Sequence, residues 1–417
     1  MRRLPDMRLP DAARVPDAVR VPDAARVPDA ARVPDVARVP DVARVPDVLD
    51  GKIVLITGGT GSFGRSFAGY IFNKYKIKKL IIFSRDEFKQ YEMSRVFPTD
   101  KYPIRYFLGD IRDKDRLNRA FDSVDVVVHA AALKHVPSAE YNPFEAVKTN
   151  IIGAQNIVEA AIDKGVKIVL ALSTDKAVSP INLYGATKLA MEKIFIAASA
   201  YVGPKDTRFA IVRYGNVVGS RGSVIPAFLR MIREGAKELP VTDERMTRFW
   251  ITMGQAMEFI DSVLAECVGG EVFVPKIPSM KVMDLVGAVS KECKVKFIGI
   301  RSGEKIHETL ITWDEAGTAV EYELGGRDPQ HQLFYGPQRQ TGCFVVLPDF
   351  HFESKFRGKY KKSMHLPEGF SYRSDTNDSW ITVEQMKQYI EALEIPDFET
   401  SANKTPAQKT PAHETPE

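Results

Sequence analysis

The chain has 417 residues, of which 44% are hydrophobic and 27% are charged, and its net charge is +4. This length allows two or three domains, and so small and dispersed a charge argues against a nucleic-acid partner. No apolar run approaches the roughly 18 residues of a membrane span, and no apolar segment typical of a signal peptide follows the first arginines. We therefore expect a cytoplasmic protein with neither a membrane nor a nucleic-acid partner.

The cysteines Cys267, Cys293 and Cys343 lie far apart in the sequence. Their odd number and wide spacing fit neither a disulfide framework nor a zinc site. We therefore predict a reducing compartment and no metal ion.

Both ends of the chain are of low complexity. Residues 8–47 repeat a hexapeptide of the form Arg-Val-Pro-Asp-Ala-Ala, and residues from 400 onward repeat Thr-Pro. Regularly spaced prolines prevent helices and sheet ladders, and such a biased composition is typical of disorder. We predict disordered segments at 1–50 and 399–417, which leaves residues 51–398 to fold.

A strand followed at once by a glycine-rich turn begins the folded part. Residues 52–57 are apolar and largely β-branched, glycines stand at 58, 61 and 64, and an amphipathic stretch covers 65–74. In this order the glycines permit a close approach to a pyrophosphate, and the helix N-terminus supplies N–H groups. The pattern predicts a dinucleotide-binding turn, and an ordinary glycine-rich turn is the alternative.

The end of the next strand bears on which dinucleotide binds. The apolar run 79–84 ends in Ser84, and Arg85 and Asp86 follow. An acidic residue here usually binds the ribose 2′-hydroxyl of NAD, whereas an arginine suits the 2′-phosphate of NADP. Because the arginine comes first, we predict NADP. Asp86 leaves NAD as an alternative, and a solvated surface charge is the other interpretation of Arg85.

Strands and helices continue to alternate along the chain. Strands are predicted at 104–108, 124–129 and 166–172, and a long helix at 143–164. Parallel strands joined by helical crossovers form a doubly wound sheet, with the ligand at the carboxyl ends of the strands. The predicted fold class is therefore a Rossmann α/β protein with a doubly wound parallel sheet and a smaller C-terminal substrate lobe.

The strand at 166–172 runs into the sequence Ser-Thr-Asp-Lys (173–176), and a helical pattern follows with Tyr184 and Lys188 near its start. These last two residues are four apart and share a helix face. A nearby ammonium lowers the pKa of a tyrosine, so the phenol can take a proton from a sugar hydroxyl. Tyr-x-x-x-Lys alone is common on helix surfaces, but its place downstream of a dinucleotide fold favours catalysis.

Asp175 and Lys176 place an acid beside a base at the end of a strand. Such a pair suits the elimination of water, because one group removes a proton while the other protonates the departing hydroxyl. A lysine base has to be neutral, and burial with a second cation such as Lys188 would push its pKa down. A structural ion pair is the alternative.

At these residues the chain resembles the extended short-chain dehydrogenase/reductase superfamily, and within it the inverting UDP-N-acetylglucosamine 4,6-dehydratases that open pseudaminic acid synthesis. The likeness covers about residues 50–315, resumes weakly at 372–380 and is poor at 316–371. The segments that carry it are TGGTGSFG (57–64), SRDE (84–87), HAAALKHVP (129–137), LSTDKA (172–177), NLYGATK (182–188), RYGNVVGSRGSV (213–224), RMTRFWIT (245–252), FVPKIPSMK (273–281) and IRSGEKIHE (300–308).

The resemblance implies a bound NADP and a reaction of four parts: oxidation at C4 of UDP-N-acetylglucosamine, loss of water across C5 and C6, reduction at C6 and inversion at C5. The product would be UDP-2-acetamido-2,6-dideoxy-β-L-arabino-hexos-4-ulose. By the same resemblance Tyr184 is the base at C4, with Thr174 as its hydrogen-bond partner. Lys176 would remove the C5 proton, and Asp175 would protonate the C6 hydroxyl.

The resemblance also assigns binding residues. Those for the cofactor are Gly58, Thr60, Gly61, Ser62, Phe63, Gly64, Ser84, Arg85, Asp86, Asp110, Ile111, Ala130, Ala131, Lys134, Tyr184 and Lys188. Those for the sugar nucleotide are Lys134, Ser173, Thr174, Asn216, Val217, Arg221, Arg248, Arg301 and Glu304. The arginines are expected on phosphates, since a guanidinium binds phosphate through paired hydrogen bonds, with surface salt bridges as the alternative. His135 and His307 are expected to be structural.

We predict an NADP-binding domain at 51–240 and a mainly substrate-binding lobe at 241–398, with interleaved segments. The resemblance implies a homo-oligomer, either a dimer or a hexamer. Three other functions stay open. Retaining 4,6-dehydratases commonly carry Met in place of Tyr184 and often have membrane helices, UDP-sugar 4-epimerases need no Asp–Lys pair, and non-catalytic NADP-sensing regulators typically lack the tyrosine or the lysine.

Overall fold

The computed structural model describes residues 48–325, 342–348 and 353–393. The disorder predicted for 1–47 and 399–417 therefore concerns residues outside the described ones. At the predicted boundary the structure differs, because residues 48–50 form a turn in which Leu49 is buried and the Asp50 carboxylate accepts a hydrogen bond from Lys76 N at 2.8 Å. The folded chain thus includes residues just before the predicted start at 51.

Alternating strands and helices form residues 53–212. In chain order they are β1 (Ile53–Thr57), α1 (Ser62–Lys74), β2 (Lys79–Ser84), α2 (Glu87–Val96), β3 (Ile104–Leu108), α3 (Lys114–Ala120), β4 (Val126–His129), α4 (Val136–Tyr141), α5 (Pro143–Val147), α6 (Gly153–Lys164), β5 (Ile168–Leu172), α7 (Leu183–Tyr201) and β6 (Arg208–Val212). A π-helical turn, Lys148–Ile152, joins α5 to α6, so the long helix predicted at 143–164 is present with this irregularity. A short 3-10 turn, Asp175–Ala177, follows β5.

Shorter elements follow in residues 216–391. In chain order they are β7 (Asn216–Val217), α8 (Val224–Arg233), β8 (Glu238–Val241), β9 (Thr247–Ile251), α9 (Met253–Glu266), β10 (Val272–Pro275), β11 (Ser279–Lys281), α10 (Val282–Val289), β12 (Lys294–Phe297), β13 (Thr309–Ile311), α11 (Trp313–Ala316), β14 (Ala319–Glu323), β15 (Gly342–Val346), α12 (Glu353–Tyr360), β16 (Met364–His365), β17 (Tyr372–Arg373) and α13 (Val383–Glu391). Helices α9, α11 and α13 begin with capping boxes, in which a Thr and a Gln or Glu bond each other's backbone. None of the helices in the described ranges is long and apolar enough to cross a membrane.

One large sheet runs through both parts of the chain. Its strand order, within the described residues, is β3-β2-β1-β4-β5-β6-β10-β15-β14-β16. Strands from β3 to β10 are parallel, whereas β15, β14 and β16 are antiparallel to their neighbours. The strand order reverses at β1, and sheets of this kind bind ligands at the carboxyl ends of the strands at such a point. The predicted Rossmann α/β fold is confirmed.

Small sheets outside the large one are built from interleaved segments. In the described part of the chain they are β11-β9-β7, β12-β8 and β13-β17. Between these segments, β10 and then β14–β16 return to the large sheet. Strands β14–β16 lie within residues 316–371, the region in which the likeness to the family was poor. Strand β8 spans the predicted domain boundary at 240, and it pairs with β12 from the predicted substrate-binding lobe. The division of the chain into two domains at 240 stays a prediction.

Two truncations test where the fold begins. A chain that starts at Val48 keeps Leu49 in the core, and we expect it to unfold at the same temperature as the full chain. A chain that starts at Gly51 loses this buried side chain, and emptying a leucine site costs about 2–5 kcal/mol, so its unfolding temperature should fall. Circular dichroism during heating measures both, and a lower unfolding temperature for the chain that starts at Val48 would show that residues 1–47 stabilise the fold.

Candidate active site

The glycine turn after β1 has the close packing that a dinucleotide needs. Gly58 has a φ of +66°, and a Cβ there would lie 2.9 Å from Ala131 Cα, while a Cβ on Gly64 would lie 2.1 Å from the Gly59 carbonyl oxygen. Only glycine fits these positions. The N-cap of α1 is Gly61, which offers no side-chain bond, and the first turn has no acidic residue. The first N–H groups of α1 are thus available to a pyrophosphate.

Other predicted cofactor residues tie this turn to the rest of the site. Thr60 is buried, and Phe63 stacks on Phe67 with ring centroids 5.8 Å apart. Ser62 Oγ accepts a hydrogen bond from Arg221 N at 3.3 Å. The glycine turn therefore contacts the loop that the resemblance assigns to the substrate.

The end of β2 separates the acidic and basic candidates for the cofactor ribose. Asp86 caps α2, where hydrogen bonds from the Lys89 side chain and backbone lower its pKa. Arg85 is mostly exposed, and its guanidinium lies 3.6 Å from Asp110. Ser84 is buried. The aspartate is thus engaged within its own helix, whereas the exposed arginine has Asp110 as its ion-pair partner.

The start of the loop after β4 is held by neutral contacts, and the loop after β3 buries an apolar side chain. Thr57 Oγ1 bonds His129 Nδ1 at 2.8 Å and accepts a hydrogen bond from Ala131 N at 3.2 Å. Burial lowers the pKa of His129 to about 3, so its ring is neutral. Ile111 is buried, and the small Ala130 lies beside the glycine turn. With the glycine turn and the uncapped helix, these features fit a bound dinucleotide.

The structure brings the predicted catalytic residues together at the carboxyl end of β5. Thr174 Oγ1 donates to Asp175 Oδ1 at 2.8 Å, and Lys176 Nζ donates to the same oxygen at 3.1 Å. Tyr184, in the first turn of α7, lies close enough to the Thr174 side chain for that neighbour to lower its pKa. Asp175 is buried, and its Oδ2 has no hydrogen-bond partner among the described residues. The four side chains thus lie in one cluster, and Oδ2 of Asp175 is available to accept a further hydrogen bond.

Lys188 does not act on Tyr184 as the sequence predicted. Its Nζ donates to the Leu172 carbonyl oxygen at 2.5 Å and lies 3.0 Å from Met191 Sδ. Burial raises the pKa of Tyr184 to about 12, and the cation that opposes this rise is Lys176. Burial instead lowers the pKa of Lys188 itself, to about 8. The expected effect of Lys188 is wrong because the carbonyl at the strand end captures its ammonium.

The expected low pKa of Lys176 is also wrong for this structure. Burial lowers its pKa, but the neighbouring carboxylates of Asp175 and Glu308 outweigh burial and raise it above the ordinary lysine value. Arg248 is the cation that opposes them, and Lys188 takes no part. Lys176 is therefore an ammonium here, and it needs a proton acceptor before it can act as a base.

Glu308 is a site residue that the sequence analysis missed. Its side chain is 2% exposed, and its Oε1 lies 3.4 Å from Lys176 Nζ and 4.0 Å from Arg248 Nε. Its Oε2 lies 3.8 Å from Lys305 Nζ. The only signal in the sequence was its place as the last residue of the segment IRSGEKIHE.

A buried ion network joins α7, β6 and α11, and the sequence analysis missed it as well. Arg213 Nη2 lies 2.6 Å from Glu192 Oε2 and 2.9 Å from Glu315 Oε1, and its Nη1 donates to the Leu310 carbonyl oxygen. Ser173 Oγ donates to Glu192 Oε1 at 2.5 Å. The hydroxyl of Ser173, which was expected to contact the substrate, therefore donates its hydrogen bond within this network.

The three arginines expected on phosphates differ in their contacts. Arg248 donates to the carbonyl oxygens of Thr247, Lys305 and Ile306, so its guanidinium holds backbone. These bonds argue against the predicted phosphate contact for Arg248. Arg221 is exposed, as is Arg301, whose Nη1 lies 3.9 Å from Glu304. These two remain the candidates for the phosphates.

The segment with Arg301 is fastened to the catalytic turn. Asn182, the N-cap of α7, donates through Nδ2 to the Gly303 carbonyl oxygen at 2.8 Å. Lys305 Nζ donates to the Val178 carbonyl oxygen at 2.6 Å. Residues far apart in the chain therefore form one wall of the site.

The remaining candidates occupy supporting positions. Asn216 and Val217 form β7, paired with β9, and Lys134 Nζ donates to the Arg221 carbonyl oxygen at 2.9 Å. His135 shows no side-chain cap to α4, and His307 Nδ1 bonds Thr247 Oγ1 at 2.9 Å. Among the residues that the structure describes, no group of three or more His, Cys, Asp or Glu side chains could hold a metal ion.

The fold and this site define the class of protein as an extended short-chain dehydrogenase/reductase. Within that class, the family model described as "Polysaccharide biosynthesis protein" matches residues 54–325, and the chain belongs to this family.

Known relatives resemble the chain over most of their length. A protein named UDP-N-acetylglucosamine 4,6-dehydratase (inverting), from Campylobacter jejuni subsp. jejuni serotype O:2, is 48% identical over 81% of this chain and 97% of its own. A UDP-glucose 4-epimerase of Rickettsia massiliae is 39% identical over 68% of this chain and 86% of its own. The X-ray structure of Pen from Bacillus thuringiensis has a TM-score of 0.71 at 37% identity, and covers 82% of this chain and 98% of that one.

The Arg213 network makes a prediction about stability. Arg213→Met leaves the buried carboxylate of Glu192 and the partly buried carboxylate of Glu315 without their cation, and breaking a buried pair in this way costs about 3–5 kcal/mol of unfolding free energy. Urea unfolding measures the loss. The control Arg245→Met removes an arginine whose ion pair with Asp243 is exposed, so its stability should stay unchanged. An equally small change at Arg213 would contradict the importance of the network.

Proposed function

We propose that the chain is an NADP-dependent UDP-N-acetylglucosamine 4,6-dehydratase that inverts C5, a hydro-lyase. The observation that carries the proposal is the 3.1 Å contact of Lys176 Nζ with Asp175 Oδ1, which also accepts a hydrogen bond from the Thr174 hydroxyl beside Tyr184. Removal of water from neighbouring carbons needs an acid and a base side by side. The 48% identity to the Campylobacter protein, over nearly its whole length, supports the same activity.

Tyr184 and Thr174 handle the C4 hydroxyl in this proposal. The neighbouring Thr174 side chain and the charge of Lys176 both favour the ionised phenol, against the burial that raises its pKa. The phenolate takes the hydroxyl proton as hydride leaves the same carbon. The dinucleotide, when bound, supplies the acceptor of that hydride and returns it at C6. Arg85 would hold its 2′-phosphate, since Asp86 is engaged as a helix cap.

Asp175 and Lys176 carry out the loss of water. Transfer of one proton from the ammonium to the carboxylate, across 3.1 Å, gives an amine and a carboxylic acid without changing the net charge. A closed site of low dielectric favours this neutral pair over separated charges. The amine of Lys176 removes the C5 proton, which the C4 ketone has acidified. The acid protonates the C6 hydroxyl, which leaves as water, and a proton later reaches C5 from the opposite face.

The wider role follows the same resemblance. We place the reaction at the first step of pseudaminic acid synthesis, in the cytoplasm, in a homo-oligomer. The diphosphate of the substrate would contact Arg221 and Arg301, whose guanidinium groups are exposed beside the site.

A UDP-sugar 4-epimerase is the second candidate, because relatives with that name reach 39% identity. Epimerisation at C4 needs the tyrosine but no proton transfer at C5 or C6. The buried Asp175 beside Lys176 would then have no chemical task, and a buried charge pair is costly to keep. The dehydratase accounts for both residues. A retaining dehydratase uses the same acid and base and differs in the configuration at C5.

One assay separates these functions. The purified chain is incubated with UDP-N-acetylglucosamine and either NADP or NAD, and the product is followed by proton NMR. We expect a 4-keto-6-deoxy sugar of L-arabino configuration, with tighter binding of NADP than of NAD by calorimetry. A D-xylo ketone would mean retention, UDP-N-acetylgalactosamine would mean epimerisation, and an unchanged substrate would exclude both activities.

Lys176→Ala tests the base at C5. In deuterated buffer we expect exchange at C5 to fall by about 100-fold or more, because Lys176 is the amine that contacts Asp175 and removes the C5 proton in the proposed reaction. Oxidation at C4, read from the absorbance of reduced nicotinamide, should persist because Tyr184 and Thr174 remain. Lys291→Ala, at an exposed lysine, is the control. Undiminished exchange at C5 would remove Lys176 from this role.

A further inference from the structure

The carboxylate of Glu308 is not needed to hold its own backbone in place. The backbone of Glu308 is already held by Ser374, whose Oγ accepts from Glu308 N at 2.9 Å and whose N donates to the Glu308 carbonyl oxygen at 2.8 Å. Neither bond involves the side chain. Its Oε2 is buried and has no hydrogen-bond partner among the described residues. Burying a charge in this way costs free energy unless it serves the groups around it.

The groups that face Glu308 are mostly cationic. Lys176 Nζ lies 3.4 Å from it, Lys305 Nζ 3.8 Å and Arg248 Nε 4.0 Å. Asp175, on the other side of Lys176, is the second carboxylate of this group. The neighbouring His307 is directed to Thr247 and lies 3.8 Å from Asp375. Lys176 is therefore held between two carboxylates, each from a different part of the chain.

We propose that Glu308 is a positioning residue for Lys176, holding its ammonium against Asp175 and balancing the charge of the site when the proton passes between them. This inference rests on the proposed function, since it gives that proton transfer a purpose. After the transfer, Glu308 still faces the positive charges of Lys305 and Arg248, so it stays ionised. Lys176 is then free to turn from Glu308 toward the substrate.

The proposal has a consequence for the protonation of Lys176. In Glu308→Gln, the Lys176 ammonium keeps one carboxylate neighbour and still faces Arg248 and Lys305. Loss of a nearby opposite charge lowers the pKa of a lysine, so the amine should appear at lower pH, by about 1–3 pH units. In Glu308→Asp the charge is kept, and the pKa should stay close to that of the native chain.

The first measurement needs no substrate. Native chain and variants are labelled with acetic anhydride at a series of pH values, and acetylation of Lys176 is counted by mass spectrometry. We expect the rise in reactivity to move to lower pH in Glu308→Gln and to stay in place in Glu308→Asp. Glu315→Gln, which removes a partly buried carboxylate beside Arg213, is the matched control and should not move it. An unmoved rise in Glu308→Gln, in folded protein by circular dichroism, overturns the proposal.

The second measurement follows the reaction. In Glu308→Gln, the rate of deuterium exchange at C5 should begin to rise at a lower pH than in the native chain. Its maximal value should be about 10- to 100-fold lower, because Lys176 is misplaced. Glu308→Asp should recover part of that rate. If the native chain converts no UDP-N-acetylglucosamine, the proposed function fails, while acetylation still decides the place of Glu308. If conversion is normal and neither pH dependence moves, only the inference fails.

Discussion

The buried guanidinium of Arg213 holds together the elements that build the site. From the end of β6 it binds Glu192 on α7, Glu315 on α11 and the backbone of Leu310 in β13. Glu192 in turn accepts the hydroxyl of Ser173, the residue just before the catalytic cluster. A charge so deeply buried is tolerated only when it is paired, so these elements have to be assembled together. Because Arg213 binds Leu310 and Glu315, the same pairing also positions the segment after residue 300 that forms one wall of the site.

Within this frame the chemistry of the site depends on balanced charge. Asp175 and Glu308 face Lys176, and Arg248 and Lys305 complete the group. The carboxylates keep Lys176 protonated until a proton moves to a neighbour. In the proposed reaction, a base and an acid then arise in one proton transfer, and the substrate would meet both at once. The buried and unbonded Oδ2 of Asp175 fits a contact with the departing hydroxyl.

Much of the fold could be predicted because its signals are local. The β-branched strands, the glycine turn and the helix after it are neighbours in the sequence, and a Cβ on Gly58 or Gly64 would clash as expected. The cluster of residues 173–176 with Tyr184 was predictable for the same reason, since one strand end and the next helix carry it. The antiparallel strands β14–β16 were not predictable, because their segments carry no family motif and their pairing is long-range.

The sequence by itself determined the class of fold and the position of the glycine turn, and it predicted which residues act as the acid, the base and the tyrosine in the proposed reaction. Only the tertiary structure decided the charge state of these groups. Lys188 is captured by the carbonyl of Leu172, and Lys176 is held as an ammonium by Glu308, which lies far along the chain. The pKa of a buried group depends on every charge and dipole within a few ångströms, and most of those neighbours come from distant segments. Spacing along the sequence fixes which residues share a turn, but only folding fixes which charges they meet.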